Sequence, residues 1–224
     1  MGTLIFDLKC YFWISYRRRL LDKLLTENKH YYQGVVLDIG GRDRGLFEKP
    51  KERVKQWIFA DINKASNPGI VTDVSAMDQI PSESTDVVNA IELFEHVEKI
   101  ESGIKECQRI LKKNAVMILS VPFLYPIHSD PGDFQRWTKA KWEKELKRGG
   151  FKIEKFIIMG RFFTVLADTM KVFTKSTPLL LRWILFLGYP ILDLLVKLDN
   201  LEKVKNHPKL GRFHGGYFIV AKKG

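Results

Sequence analysis

Four short runs of almost uninterrupted apolar residues, 35–39, 57–62, 86–91 and 115–121, recur along the chain, separated by longer stretches with helical periodicity. A strand with one wet face alternates polar and apolar residues, so continuous runs predict strands covered on both faces, as in a parallel sheet. A shorter strand over 69–72 fits between the second and third runs. Val97, Ile100, Ile104, Cys107 and Leu111 recur every three or four positions, with Glu98, Lys99, Glu101, Lys105, Lys112 and Lys113 opposite. That is the pattern of a helix lying on a sheet. Strand and helix in repetition predict right-handed crossovers and a doubly wound α/β domain, with ligands at the carboxyl ends of the strands.

Further along, a helix over 138–147 ends at Gly149 and Gly150, and the segments 151–159 and 216–222 read as a pair closing the sheet as an antiparallel edge. The 160–214 stretch between them is too long for a hairpin loop and is helical in pattern, so a helical insertion before the last strand is predicted. At the other end, residues 4–29 read as one or two helices. Their apolar stripe is Leu20, Leu21, Leu24 and Leu25, with Arg17, Arg18, Lys23 and Glu27 away from it. The expected division is a helical segment 1–30, a core 31–160, an insertion 161–214 and a final core strand 215–224.

A length of 224 residues at 45% hydrophobic composition suits one sizeable α/β domain. The net charge of +11 suits nucleic acid, an anionic membrane face or a phosphorylated substrate. Nucleic acid is disfavoured, since neither paired Cys/His fingers nor an aromatic RNP-like strand accompanies the charge. Cys10 and Cys107 are far apart and next to no His pair, so neither a disulfide framework nor a metal site is expected, and a reducing cytoplasm fits. Asp7 and Lys9 interrupt the first apolar stretch, and the Arg17-Arg18-Arg19 run follows it, which argues against a signal peptide. In the most apolar region the uncharged run is only 183–192, ten residues broken by Gly188 and Pro190. A bilayer span needs about 20, so a buried or interfacial helix pair is expected there.

Gly40 and Gly41 follow the first strand, where glycine lets backbone approach a ligand closely. The dinucleotide fingerprint G-x-G-x-x-G would need its second glycine at 42, but Arg42 stands there, with Gly45 in third place. A pyrophosphate, and with it a nicotinamide-dependent reductase, is thereby disfavoured. Asp61 ends the second strand, 21 positions after Gly40, the spacing at which a carboxylate accepts both hydroxyls of an adenosine ribose.

Taken together, Val36-Leu37-Asp38-Ile39-Gly40-Gly41, Phe59-Ala60-Asp61, Thr72-Asp73-Val74 and the run from Asp86 through Glu95-His96-Val97 to Arg109-Ile110-Leu111-Lys112-Lys113 resemble class I S-adenosylmethionine (SAM) dependent methyltransferases of the type 11 domain group. The resemblance covers about 33–160 and the last strand. It implies a seven-stranded, mostly parallel Rossmann-like sheet and SAM as cofactor, with S-adenosylhomocysteine as product. It also implies that Asp38, Gly40 and Gly41 meet the methionine part, Asp61 and Ile62 the ribose, and Asp73 and Val74 the adenine. Ile91 and Glu92 would then face the sulfonium. The departure from the family pattern is at Arg42 to Arg44, where either arginine can pair with the SAM carboxylate.

The segment 122–137 directly follows the fifth strand, over the cofactor mouth, where a methyl acceptor must arrive. Methyl transfer is an in-line displacement that needs alignment and removal of a proton, and an imidazole with a reference pKa near 6.5 suits that removal. His128, oriented by Asp130 or Asp133, is the candidate base, set against a merely solvated loop histidine. Tyr125 and Arg136 are candidate acceptor contacts, Arg136 either holding an anionic acceptor or capping Asp133. Glu95-His96 reads as the opening of a helix rather than as a catalytic pair.

The insertion mixes Phe162, Phe163, Trp183, Phe186 and Tyr189 with Lys171, Lys175, Arg182, Lys197, Lys203 and Lys205. It suits a substrate lid, a dimer contact or a seat on an anionic bilayer face. The expected activity is methyl transfer to an oxygen or nitrogen of a small-molecule acceptor, in the cytoplasm or at the inner membrane face; the loop and insertion are also similar to those of bacterial enzymes that methylate surface-glycan or lipid-linked intermediates, and that resemblance implies such an acceptor. A non-catalytic SAM-binding or membrane-recruited module is the competing class.

Overall fold

The computed structural model describes residues 11–41, 46–128 and 132–224; Arg42, Arg44 and Asp130 lie outside the described residues. Its centre is a seven-stranded sheet in the order β3-β2-β1-β4-β5-β7-β6. The strands are β1 (Gly34–Ile39), β2 (Val54–Asp61), β3 (Ile70–Val71), β4 (Thr85–Ile91), β5 (Leu111–Pro122), β6 (Phe151–Ile158) and β7 (Gly216–Lys223). The first five pair in parallel, and β7 runs antiparallel to both β5 and β6.

Side chains alternate across this sheet into two cores, which is why its strands read as unbroken apolar runs. Leu37, Val88, Met117, Leu119 and Ile219 join Ile100, Ile104 and Cys107 of α2 (Ile100–Ile110) and Trp142 and Leu146 of α3 (Lys139–Arg148) on one face. Val36, Val87, Ile118, Phe218 and Val220 join Leu21 and Leu25 of α1 (Tyr16–Glu27) on the other. Burying each of these aliphatic side chains contributes roughly 1.5–3 kcal/mol.

β6 and β7 close the sheet as the antiparallel pair the sequence predicts, with β7 inside and β6 at the edge. The residues explain this: six of the eight in β7 are buried in succession, whereas the first five of β6, Phe-Lys-Ile-Glu-Lys, alternate. The helix expected from Val97 begins at Ile100, and Leu111, Lys112 and Lys113 already belong to β5. Arg17 faces inward at 4% exposure rather than away from the apolar stripe.

Between β6 and β7 the chain forms α4 (Phe162–Lys175), α5 (Leu179–Phe186), α6 (Tyr189–Lys197) and the single turn α7 (Glu202–Lys205). α4 docks on the N-terminal segment. The Asp168 carboxylate accepts from the main-chain N–H groups of Tyr16 at 2.6 Å and Arg17 at 3.0 Å, which are otherwise unpaired in the first turn of α1. Ser15 Oγ accepts from Arg18 N–H at 3.0 Å at the same end. One turn along α4, Lys171 Nζ donates to the carbonyls of Tyr11 and Ile14. Among the described residues no single helix is long and apolar enough to cross a membrane.

Candidate active site

The carboxyl ends of β1 and β2 meet at a turn that glycine makes possible. Gly40 has φ +65°, in the left-handed region, and its N–H donates to Ala60 O at 2.8 Å, folding the chain over the end of β2. A Cβ on Gly41 would stand 2.2 Å from the Asp38 carboxylate, which folds back beneath the turn. That carboxylate is buried, accepts from Asn89 Nδ2 at 2.7 Å and lies 3.3 Å from Lys49 Nζ. Asn89 is itself fixed by the Tyr32 hydroxyl, at 2.8 Å.

Asp61 ends β2 directly after Ala60, the register partner of Ile39, so it faces the glycine turn across one strand spacing. Its Oδ1 accepts from Asn63 N–H at 2.8 Å, and its carbonyl accepts from Thr72 N–H at 3.0 Å, drawing Asp73 alongside. Asp73 Oδ1 accepts from both the N–H and hydroxyl of Ser75. Val74 packs into the core, whereas Ile62 is largely exposed. Asp38, Gly40, Gly41, Asp61 and Asp73 are thus gathered along one end of the sheet, as the ordered spacing of the sequence implied.

At the end of β4, just past Ile91, Glu92 adopts φ 53°, an uncommon conformation for a residue with a side chain. Its N–H donates to Ser120 O at 2.9 Å, Ser120 Oγ donates to its carboxylate at 2.9 Å, and Arg17 lies 2.6 Å from the same carboxylate. Burial works to raise the Glu92 carboxyl, but Arg17 and Ser120 outweigh it and hold the group below the usual carboxylate range. Arg17 also lies over the Tyr125 ring, 4.8 Å from its centroid, so the N-terminal helix reaches the loop after β5. The Arg17-Arg18-Arg19 run concealed this role; no spacing signal links Arg17 to Glu92.

In the loop after β5, Arg136 forks onto the Asp133 carboxylate, with its Nη2 2.5 Å from Oδ2, so Arg136 takes the capping role of its two alternatives. Burial opposes ionisation of Asp133, but Arg136 and the His128 N–H hold it below the ordinary range. His128 is tied to Asp133 by that N–H at 3.0 Å, with its Nδ1 3.5 Å from the same oxygen and 3.2 Å from Pro126 O. The His128 ring sits edge-on to those of Tyr125 and His96.

Glu95 and His96 do not open a helix. They lie in a single 3-10 turn, Phe94–His96, four residues before α2. Glu95 is 1% exposed, and burial, then the Glu92 charge, push its carboxyl well above the usual range.

A family model described as "Methyltransferase domain" matches residues 12–154, more than half of the chain. The chain belongs to the methyltransferase-domain family. No curated protein matches the sequence significantly. Among solved structures, a SAM-dependent methyltransferase from Archaeoglobus fulgidus superposes with a TM-score of 0.55 at 17% identity, covering 98% of this chain and 99% of that one. Phosphoethanolamine N-methyltransferase 2 from Haemonchus contortus, bound to SAM, gives a TM-score of 0.53 at 12% identity, over 91% of this chain and 52% of that one. The [4+2]-cyclase SpnF gives 0.54 at 14% identity, over 91% and 79%. The expected doubly wound, seven-stranded fold of the class I SAM-dependent methyltransferases is therefore the fold of this methyltransferase.

Proposed function

We propose that this methyltransferase binds SAM across the ends of β1, β2, β3 and β4 and transfers its methyl group to an oxygen or nitrogen acceptor held under the 123–137 loop. The observation that carries the reading is the placement of Asp61 against the Gly40 turn, one strand over from the buried Asp38. A carboxylate there accepts two ribose hydroxyls while the glycine turn admits the methionine end close to backbone. Ile91 and Glu92 follow on the sulfonium side, with Asp73 and Val74 at the adenine. In the reaction the acceptor loses a proton, its lone pair attacks the methyl carbon, and the S–C bond breaks with its electrons left on sulfur. The histidines at the loop, His128 with its Asp133 partner, are where that proton is handled. Calorimetry with SAM, followed by detection of S-adenosylhomocysteine with lipid and glycan fractions as acceptors, tests this. SAM binding with no turnover on any fraction would leave a non-catalytic SAM-binding module.

The insertion supports an acceptor presented at a lipid surface. Leu179, Leu180, Trp183, Leu187, Ile191 and Leu194, on α5, α6 and the turn between them, are each more than half exposed, and the helices form a pair bent by 45°. So much apolar surface marks a partner site. The chain's net charge of +11, with Lys197, Lys203 and Lys209 exposed nearby, complements an anionic bilayer. Co-sedimentation with phosphatidylglycerol vesicles but not phosphatidylcholine vesicles, lost in Leu180→Glu/Leu187→Glu, is expected. A dimer in solution that buries these residues, with no vesicle binding, would assign the face to a second copy instead.

A further inference from the structure

Beside the acceptor loop lies a group that the scheme above leaves without a partner. The Glu95 carboxylate is buried, and neither of its oxygens has a hydrogen-bond partner among the described residues. An unmade bond of this kind costs about 1–3 kcal/mol, more for a charged group. The two nearest arginines are already committed, Arg17 to Glu92 and Arg136 to Asp133. Among the described residues Glu95 is therefore the acid of this cluster with no dedicated cation.

What faces Glu95 is the His96 imidazole. His96 Nδ1 is in hydrogen-bond contact with Gly132 O, and since a carbonyl only accepts, Nδ1 is the donor there and Nε2 is the nitrogen turned toward Glu95. That Nε2 stands 3.8 Å from Glu95 Oε1, too far for a hydrogen bond. His128 is arranged in the same way. Its Nδ1 faces the Pro126 carbonyl at 3.2 Å and Asp133 at 3.5 Å, and its Nε2 has no hydrogen-bond partner among the described residues. One ligand atom from each of Glu95, His96 and His128 lies within 4.8 Å of the other two, about 1.4 Å wider than the edge of a tetrahedral site with bonds of ~2.1 Å.

We propose that Glu95, His96 and His128 form a site for a first-row divalent transition metal, and that its open coordination positions take a hydroxyl oxygen of the methyl acceptor. The donor set of two imidazoles and one carboxylate with vacant positions is one that such ions occupy. The outer shell is in place too: Gly132 O orients His96, and the Pro126 carbonyl and the Arg136-locked Asp133 orient His128. Glu95 is buried and His96 half-buried, while the His128 side chain is 41% exposed, so the site is anchored in the protein and opens toward the loop where the acceptor enters. It stands immediately beyond Ile91 and Glu92, on the expected sulfonium side.

The role for the acceptor rests on the methyltransferase reading; the metal site itself does not. With the ion bound, His128 acts as a ligand in place of the base described above, and a hydroxyl on the ion releases its proton to water more readily. Its oxygen then forms the bond to the methyl carbon while the S–C bond breaks and leaves a neutral thioether. Nothing is oxidised or reduced. The sequence reading, which looked for cysteine and paired-histidine spacing, expected no metal.

The test uses untagged, full-length protein treated with EDTA and titrated with Co2+, followed by visible absorption, with SAM binding measured separately by calorimetry. The expected result is one Co2+ per chain, with a ligand-field band distinct from that of the aqueous ion. Affinity should fall at least tenfold in His128→Ala and in Glu95→Gln and stay unchanged in His207→Ala. The His128 side chain is 41% exposed, so loss of the band there without a change in circular dichroism is not a folding defect. No distinct band, or a band indifferent to His128→Ala, overturns the metal site even if SAM binds normally. Co2+ binding without SAM binding would sustain the site and remove the methyl acceptor as its ligand.

Discussion

The Arg17 guanidinium of the N-terminal helix stands 2.6 Å from the Glu92 carboxylate at the end of β4, and both groups are largely shielded from water. The pair couples an element outside the sheet to the carboxyl end of β4. Replacing Arg17 by Met should cost about 3–5 kcal/mol, because Glu92 is left buried and uncompensated, while Arg17→Met/Glu92→Gln should recover much of that loss. Urea unfolding of the three proteins checks this. The pH dependence has a defined sign. Glu92 is held below the usual value of about 4.3, so its contribution is present above that pH and is lost as pH falls through its folded value. Wild type should therefore lose more stability between pH 5 and pH 3 than the double variant; equal loss would show that the pair does not stabilise the fold.

Asp61→Ala removes an acceptor for two hydroxyls and should weaken SAM binding by roughly 1.5–3 kcal/mol, about 10- to 150-fold. Thermal unfolding without ligand should change little by comparison. Unchanged affinity in calorimetry would move the ribose away from Asp61.

Much of this arrangement was legible because burial on both faces leaves a direct mark on composition: the runs that became β1, β2, β4 and β5 are apolar without alternation. The spacing of Asp38, Gly40 and Asp61 was legible because each sits at a strand end, which periodicity locates to within a residue or two. The contrast between β6 and β7 was also present in the residues, one alternating and one continuous. Arg17 was not legible. A buried arginine beside Arg18 and Arg19 reads as part of a solvated face, and its partner lies in a different part of the chain. Glu95 and His96 were misread for a related reason. A Glu-His pair ahead of a helical pattern fits a helix start, and only the tertiary fold shows that the carboxylate is enclosed.

Gly41→Ala should be damaging out of proportion to its size. The added Cβ would meet the Asp38 carboxyl group at 2.2 Å, so Asp38 must swing out and give up its bond to Asn89. Overpacking of this kind costs about 1–3 kcal/mol, and SAM affinity should fall at least tenfold with it. Gly69→Ala is the control, since its Cβ would make an ordinary 3.5 Å contact with Phe59 O. Equal affinities in the two variants would mean that the turn has room to spare.

Lys171 should give the protein an unusual stability profile near neutral pH. Its Nζ is enclosed between α4 and the N-terminal segment, 4.4 Å from the centroid of the Tyr16 ring. Burial lowers its pKa, Arg19 and Lys175 push the same way, Asp168 and Asp193 oppose them, and the balance falls at about 7. In the unfolded chain a lysine titrates near 10.4. Between those values the unfolded state binds more protons than the folded one, so stability should rise as pH increases from 7 toward 10. Over the two units from pH 7 to pH 9 the gain is on the order of 2 kcal/mol. Tyr11, raised from 10 to about 12, barely titrates in either state below pH 9, whereas Cys107, raised to about 12 in the fold, loses its proton only in the unfolded chain and opposes the climb slightly above pH 8 in both proteins. Urea midpoints measured at pH 7, 8 and 9 should therefore climb in wild type and show no climb in Lys171→Met, which keeps the bulk of the side chain without its proton. A parallel climb in both proteins would assign the pH dependence to another group and leave Lys171 as an ordinary buried ammonium held by the Tyr11 and Ile14 carbonyls.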